Sequence, residues 1–127
     1  MENEDITLAL CEARRLTGIG HYVQAWEVIE TIPFNARLRD DVIAARLVIC
    51  TALERWEMGR TLARLITADS AAESRQAAGE FLLALSDHMH AAGRRDAALS
   101  CVQAVSSIWP EGRAKALETE VMRAEWP

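Results

Sequence analysis

The sequence lacks long apolar runs, clustered positive charge and a basic leader. No stretch approaches the roughly 18 to 20 apolar residues that a membrane-spanning helix needs, and residues 1–5 are acidic where a secretion signal is basic. The formal net charge is −5, whereas a nucleic-acid binder needs clustered cations that displace counterions from phosphates. We therefore expect a cytoplasmic protein that contacts neither a membrane nor nucleic acid.

Cysteine is also scarce. Cys11, Cys50 and Cys101 are odd in number, far apart and placed beside apolar residues, so we expect small buried side chains and no disulfide framework. The chain contains no glycine-rich phosphate loop, no Gly-x-Ser-x-Gly elbow and no Cys-x-x-Cys pair. These absences predict a protein that is not an enzyme and that needs no cofactor.

Asp87, His88 and His90 form the only cluster of candidate metal ligands or acid–base groups. On a helix, His88 and His90 point away from each other, because a chelating pair needs a spacing of three or four residues. Asp87 and His90 have that spacing, but two ligands without a third nearby make a poor site. We predict no metal site.

The residues that are abundant indicate helices. Half of the 127 residues are hydrophobic, which is enough for one core, and the six glycines and three prolines stand at isolated points. Apolar residues recur at helical spacing. The expected fold class is all-α, in a single domain covering 1–127. The helices pair as hairpins at about 5–33, 36–67 and 71–110, and a last helix follows at about 112–126.

Local signals mark where two of the helices begin. Asn35 is a candidate N-cap for the third helix, and Asp40 and Asp41 suit the positive end of its dipole. Ser70 and Glu73 have the spacing of a capping box, in which the serine oxygen accepts a backbone hydrogen bond and the glutamate reaches back. We expect the fifth helix to start with that box.

A small residue near the start of each hairpin's second helix reveals a period. Ala25, Gly59 and Ala98 occupy this place, where two helices must approach closely. The interval from Ala25 to Gly59 is 34 residues, and the interval from Gly59 to Ala98 is 39. A period of 34 residues is that of the tetratricopeptide repeat.

The hairpins resemble tetratricopeptide repeats to different degrees. The third hairpin resembles the family's Gly-x-Tyr-x-x-Ala-Leu motif and closing proline through Gly93, Ala98, Leu99 and Pro110. The first is similar at Gly20 and Ala25. The second departs from the motif, because Glu54 replaces the turn glycine and Gly59 replaces the alanine. An irregular helical bundle with alanine-rich hairpins is the alternative.

The resemblance implies a right-handed solenoid of three antiparallel hairpins plus a C-terminal capping helix, in which Leu117 and Val121 cover the last repeat. Members of the family bind extended peptides or partner helices in a concave groove that the first helix of each hairpin lines. The family's groove positions correspond here to Leu10, Arg14, Asp41, Ala44, Val48, Glu80, Leu83, Asp87 and His90. The Lys and Asn residues with which some members grip a carboxylate are absent from these positions.

Function is therefore expected to come from a surface. The sequence predicts a non-catalytic adaptor or scaffold that binds another protein or a peptide, and the preference for arginine over lysine is typical of a GC-rich bacterial genome. Exposed Val48 and Leu83 would suit such a contact. The alternative is a homodimer with a structural or chaperone-like role, in which a second copy fills the groove. An enzyme or a metal-binding protein is a third possibility.

Overall fold

All regular secondary structure in the described part of the chain is helical. The computed structural model describes residues 2–125, with side chains through 124, and no strand occurs among them. This confirms the all-α class. The helices are α1 (Asn3–Gly18), α2 (Tyr22–Glu30), α3 (Asp40–Leu53), α4 (Trp56–Ala63), α5 (Ala72–Ala91), α6 (Arg95–Ile108), α7 (Arg113–Leu117) and α8 (Glu120–Glu125). Short 3-10 helices cover Phe34–Ala36 and Pro110–Gly112.

Three tight turns join α1 to α2, α3 to α4 and α5 to α6 with the same backbone geometry. One residue in each turn has a positive φ: Gly20 (82°), Glu54 (57°) and Gly93 (77°). The next residue donates its N–H to the carbonyl five positions earlier, at 2.8 to 2.9 Å: His21 to Leu16, Arg55 to Cys50 and Arg94 to Met89. This is the bond of a Schellman helix end. Glu54 thus adopts the conformation that glycine adopts in the other two turns.

The second helix of each hairpin also begins in the same way. The residues before α2, α4 and α6 share nearly the same dihedral angles, with ψ of 63°, 76° and 70°. Their carbonyls accept hydrogen bonds from the amides of Ala25, Gly59 and Ala98 at 3.0 Å. All three small residues are buried. The intervals of 34 and 39 residues read from the sequence therefore relate positions with equivalent backbone geometry.

Successive hairpins pack against each other in chain order. The first helices α1, α3 and α5 follow one another, while α2 packs on α3 and α4 packs on α5. At the second junction, Gly59 faces the ring of Phe81, and a Cβ atom added at Gly59 would lie 2.1 Å from Phe81 Cε2. Phe81 is fully buried. The absence of a side chain at Gly59 therefore makes the space that the ring fills.

The C-terminal segment closes the far side of the third hairpin. The predicted capping helix at 112–126 is two short helices, α7 and α8, which meet at Thr119, whose hydroxyl donates to the carbonyl of Ala116 at 2.8 Å. Val121 is fully buried and Ala116 is 3% exposed. Of the two residues expected to cover the last repeat, Val121 is thus buried, whereas Leu117 is 55% exposed.

The tryptophans support this packing. Trp109, at 9% exposure, lies between Gly79 of α5 and Gly112, where a Cβ atom would come within 2.4 Å of its ring. Trp26 is also buried, and its ring is flanked by the guanidinium groups of Arg46 and Arg55 at 5.0 and 4.8 Å. A further tryptophan, Trp126, lies outside the described residues.

Two predicted helix caps do not form. Asn35 lies in the 3-10 helix that precedes α3, which itself begins at Asp40 with no side-chain cap. The capping box does not form either, because the Ser70 hydroxyl accepts from the amide of Thr67 and Glu73 pairs with Arg14 of α1. The expected acidic first turn of α3 is confirmed. Ser70 thus bonds a backbone amide in the preceding turn, and a distant residue pairs with the Glu73 side chain that the local rule had assigned to the helix start.

The cysteines differ in exposure. Cys50 is fully buried, and burial raises the pKa of its thiol to about 11. Cys101 is half-buried, but Cys11 is exposed on the surface of α1, which contradicts the expectation that all three belong to the core. All three are free thiols.

Candidate functional site

A groove of about 350 Å³ runs along the first helices of the three hairpins. The C-terminal half of α1, the middle of α3 and the N-terminal half of α5 form its walls: Arg14, Thr17, Gly18, Ala44, Ala45, Val48, Glu73, Gln76, Ala77 and Glu80. Of the nine groove residues that the sequence suggested, Arg14, Ala44, Val48 and Glu80 line this cavity. Small side chains line the cavity at Ala44 and Ala45 of α3 and at Ala77 of α5. Val48 of α3 is 40% exposed.

An ion pair spans one side of the groove. Arg14 on α1 donates to Glu73 in the first turn of α5, with an Nη2 to Oε1 distance of 2.9 Å. Because neither residue belongs to α3, this ion pair joins the first hairpin directly to the third. Their side chains are 49% and 66% exposed, and such solvated pairs contribute only about 0.2 to 1 kcal/mol. A charged partner can therefore exchange with either group at small cost.

A second set of polar contacts lies at the α5 wall. Glu80 accepts hydrogen bonds from Gln76 at 3.3 Å and from Lys115 of α7 at 3.2 Å. Asp41, at the start of α3, pairs with Arg39 and does not line the groove. The charges around the cavity are thus paired with each other, and neither sign dominates.

The remaining predicted groove residues have other surroundings. Leu10 is 4% exposed and belongs to the core, so it presents almost no surface to a partner and its place in the predicted set is corrected. Leu83 and His90 are half-buried and do not line the cavity. Asp87 accepts a hydrogen bond from the backbone amide of Glu120 at 3.0 Å. The C-terminal helices therefore engage the last part of α5.

Of the three residues considered for chemistry, Asp87 and His88 contact different parts of the chain. Asp87 holds the start of α8, while the His88 ring stacks on the indole of Trp56 with centroids 4.8 Å apart. In the described part of the chain, no group of three or more His, Cys, Asp or Glu side chains lies together as metal ligands. None of the helices described combines the length and the hydropathy needed to cross a lipid bilayer.

A second surface feature escaped the sequence reasoning. Two apolar slots lie on either side of α6, one towards α4 and one towards α7. Arg60 and Arg64 border the first slot, and Arg113 borders the second. The available signal was the absence of any charged residue from 97–110, the longest such stretch of the sequence.

Known proteins give no further guide to either surface. Comparisons with protein-family models, with curated proteins and with solved structures found no match to this chain. Its function must therefore be inferred from these residues themselves.

Proposed function

We propose that this chain is a non-catalytic protein-interaction module that binds a peptide or a helix of another protein in the groove between α1, α3 and α5. The observation that carries the proposal is the contribution of all three hairpins to one cavity of about 350 Å³. Ala44, Ala45 and Ala77 allow a partner backbone to come close, and Val48 offers an exposed apolar contact. Binding of this kind needs no reactive group.

The repeated turns support a tetratricopeptide-like architecture within this proposal. The first two hairpins repeat at 34 residues in their turns and helix starts, which is the family's period. In the proposed arrangement the hairpins form a right-handed solenoid, and α7 and α8 cover its last apolar flank as a terminal cap does. The proposed setting is the bacterial cytoplasm, with the chain acting as an adaptor or scaffold.

The experiment is a selection of binding peptides from a random library, followed by titration against two matched variants. Val48→Asp places a charge in the groove, whereas Val23→Asp places the same charge on α2, where Val23 is 55% exposed and outside the groove. We expect selected peptides to lose at least about tenfold in affinity for the first variant. Their affinity for the second variant should remain within about twofold.

Light scattering over a concentration series completes the test. A monomer whose selected peptides ignore Val48→Asp would contradict the proposal. A dimer that Val48→Asp dissociates, while Val23→Asp leaves it intact, would show that a second copy fills the groove. That result would replace the adaptor function by the self-associating alternative. Circular dichroism of both variants checks that each remains folded.

A further inference from the structure

Beyond its first two residues, Arg95 and Asp96, the outer face of α6 is uncharged, although a quarter of the chain is charged. The exposed side chains of this uncharged part are Ser100, Gln103, Ser106 and Ser107, and no Asp, Glu, Lys or Arg occurs between 97 and 110. Depletion of charged residues distinguishes the centre of a protein interface from the rest of a protein surface. A helix face that only contacts solvent usually carries charged side chains, and this face has none between 97 and 110.

The slot towards α4 has a volume of about 240 Å³ and an apolar base. Leu82 and Leu85 of α5 lie at the bottom, and Cys101, Ala104 and Ile108 form the α6 wall. Burial raises the pKa of the Cys101 thiol despite the opposing effect of the Arg60 guanidinium. The wall from Ser100 to Ile108 spans two helical turns, or about 12 Å. One or two aliphatic side chains of a partner fit such a slot.

The slot towards α7 lies on the opposite side of the same helix. It has a volume of about 400 Å³, and Leu99, Val102, Leu117 and Met122 provide its apolar lining. Leu117 is 55% exposed, and burial by a partner would remove this surface from water. The two slots therefore leave α6 as a ridge between two apolar depressions.

The charge at the borders of both slots has one sign. Arg60, Arg64 and Arg113 line the slots, and no Asp or Glu does. In the part of the chain that the structure describes, none of these arginines lies within 4.0 Å of a carboxylate oxygen, whereas Arg14 and Arg75 each have an acidic partner. The molecule as a whole is acidic, with a net charge of −5. This surface is locally cationic against that background.

The repeat shows that Arg60 is a departure from an apolar position. At intervals of 34 and 39 residues, its equivalents are Trp26 in the first hairpin and Leu99 in the third. Trp26 is only 8% exposed, whereas Arg60 is exposed. The second hairpin thus carries a cation where the first buries a large apolar side chain.

We propose that the α6 face, defined as the two slots together with Arg60, Arg64 and Arg113, docks an acidic amphipathic helix of a partner protein. Aliphatic side chains of that helix enter the slots, and its carboxylates pair with the three arginines. A second copy of this chain is a poor occupant, because a symmetric contact would bring the same arginines together. The α6 face shares no lining residue with the groove, so it is independent of the proposed function.

The first measurement is a titration of the full chain, labelled with ¹⁵N, with a synthetic helix of about sixteen residues built from leucine and glutamate. A second peptide with lysine in place of every glutamate has the same apolar face and the opposite charge. We expect shift changes centred on α6 for the acidic peptide, and binding that weakens as salt screens the charges. The basic peptide should bind at least about tenfold more weakly.

Two charge-reversal variants localise the contact. Arg60→Glu together with Arg64→Glu should weaken the acidic peptide at least tenfold, while Arg123→Glu should change its affinity by less than twofold. Arg123 is an exposed arginine of α8 that lines neither slot. All three positions are on the surface, and Val48→Asp serves to separate this site from the groove.

Several results would overturn the proposal. These are no binding of the acidic peptide at millimolar concentration, shift changes centred on the groove, equal affinity for the Arg60→Glu, Arg64→Glu variant, or stronger binding of the basic peptide. Vesicles of anionic phosphatidylglycerol provide the last arm. If they bind the chain through the same arginines while the acidic peptide does not, the surface recognises lipid and not a protein helix.

Discussion

The junction between the first and second hairpins carries Ala25 and Val42 at the positions where the next junction carries Gly59 and Phe81. All four residues are buried, and their intervals of 34 and 39 residues match those of the turns. Compared with the first junction, the second has one methyl group fewer on one helix and an aromatic ring in place of valine on the other. Because close packing constrains the combined volume of facing side chains, the alignment predicts that Ala25 faces Val42 as Gly59 faces Phe81.

The aromatic neighbours extend this difference. At the second junction the ring of Trp56 lies 5.9 Å from that of Phe81 and stacks on His88. Near the first junction, the Trp26 ring instead has the guanidinium groups of Arg46 and Arg55 within 5.0 Å of its centroid. Packing at the second junction thus depends on the Phe81 ring, which occupies the space left open by the missing side chain of Gly59. We expect it to be the less tolerant of the two.

The largest expected effect is that of Phe81→Ala. The substitution removes a fully buried ring and leaves a cavity between α4 and α5, at a cost of about 3 to 5 kcal/mol in the free energy of unfolding. Urea denaturation followed by circular dichroism measures it. The control is Phe34→Ala, since Phe34 is 79% exposed and its loss should cost less than about 0.5 kcal/mol. A loss below about 1 kcal/mol for Phe81→Ala would contradict this account.

The next effect is that of Gly59→Ala. Alanine favours a helix over glycine by about 1 kcal/mol, but here its Cβ atom would overlap the Phe81 ring, so we expect a net loss of about 1 to 3 kcal/mol. Gly18→Ala is the matched control in α1, because no atom lies within 4 Å of the added Cβ. That control should leave stability unchanged or raise it. Equal urea midpoints for both variants would refute the expected overlap.

A double-mutant cycle tests the equivalence of the two junctions. Gly59→Ala combined with Phe81→Val recreates at the second junction the residue types of the first. The double variant should lose less stability than the sum of the two single losses, with a coupling energy of about 1 to 2 kcal/mol. Strict additivity would mean that the two junctions are not equivalent.

The smallest effect concerns the turn of the second hairpin. Glu54 has a φ of 57°, where its counterparts Gly20 and Gly93 are glycines. Glu54→Gly should raise the free energy of unfolding by about 0.5 to 1 kcal/mol, since glycine adopts this conformation without steric cost. Gly93→Ala should lower it by a similar amount. Destabilisation by Glu54→Gly in the same urea experiment would indicate that the glutamate side chain compensates for the strain.

The helical spacing of apolar residues, with turn glycines in the first and third hairpins, was enough to predict three pairs of helices, because both signals act locally. The resemblance to tetratricopeptide repeats, and not periodicity alone, suggested Arg14, Ala44, Val48 and Glu80 as groove residues, and these four line one cavity. Local rules failed where a distant partner competed for the same side chain. Glu73 left its expected capping role for Arg14, which is 59 residues away in the chain.

The errors at the C-terminal end have a similar cause. A single helix at 112–126 satisfied the apolar spacing, but the chain breaks before α8, where the Glu120 amide donates to Asp87 of α5 at 3.0 Å. Burial of Leu10 likewise depends on which face of α1 meets its neighbours, and an alignment of degenerate repeats fixes that face only to within a residue or two. The slots beside α6 arise between helices, so only the missing charge could have suggested them.

The ion pair between Arg14 and Glu73 has a consequence for how easily the groove changes width. Any rotation that moves the first hairpin away from the third must separate these two groups, because their contact bypasses α3. The restraint is weak and salt screens it, whereas the apolar packing between neighbouring hairpins depends little on salt. Raising the ionic strength should therefore weaken the part of the restraint on groove width that comes from the ion pair. The part that comes from apolar packing should remain.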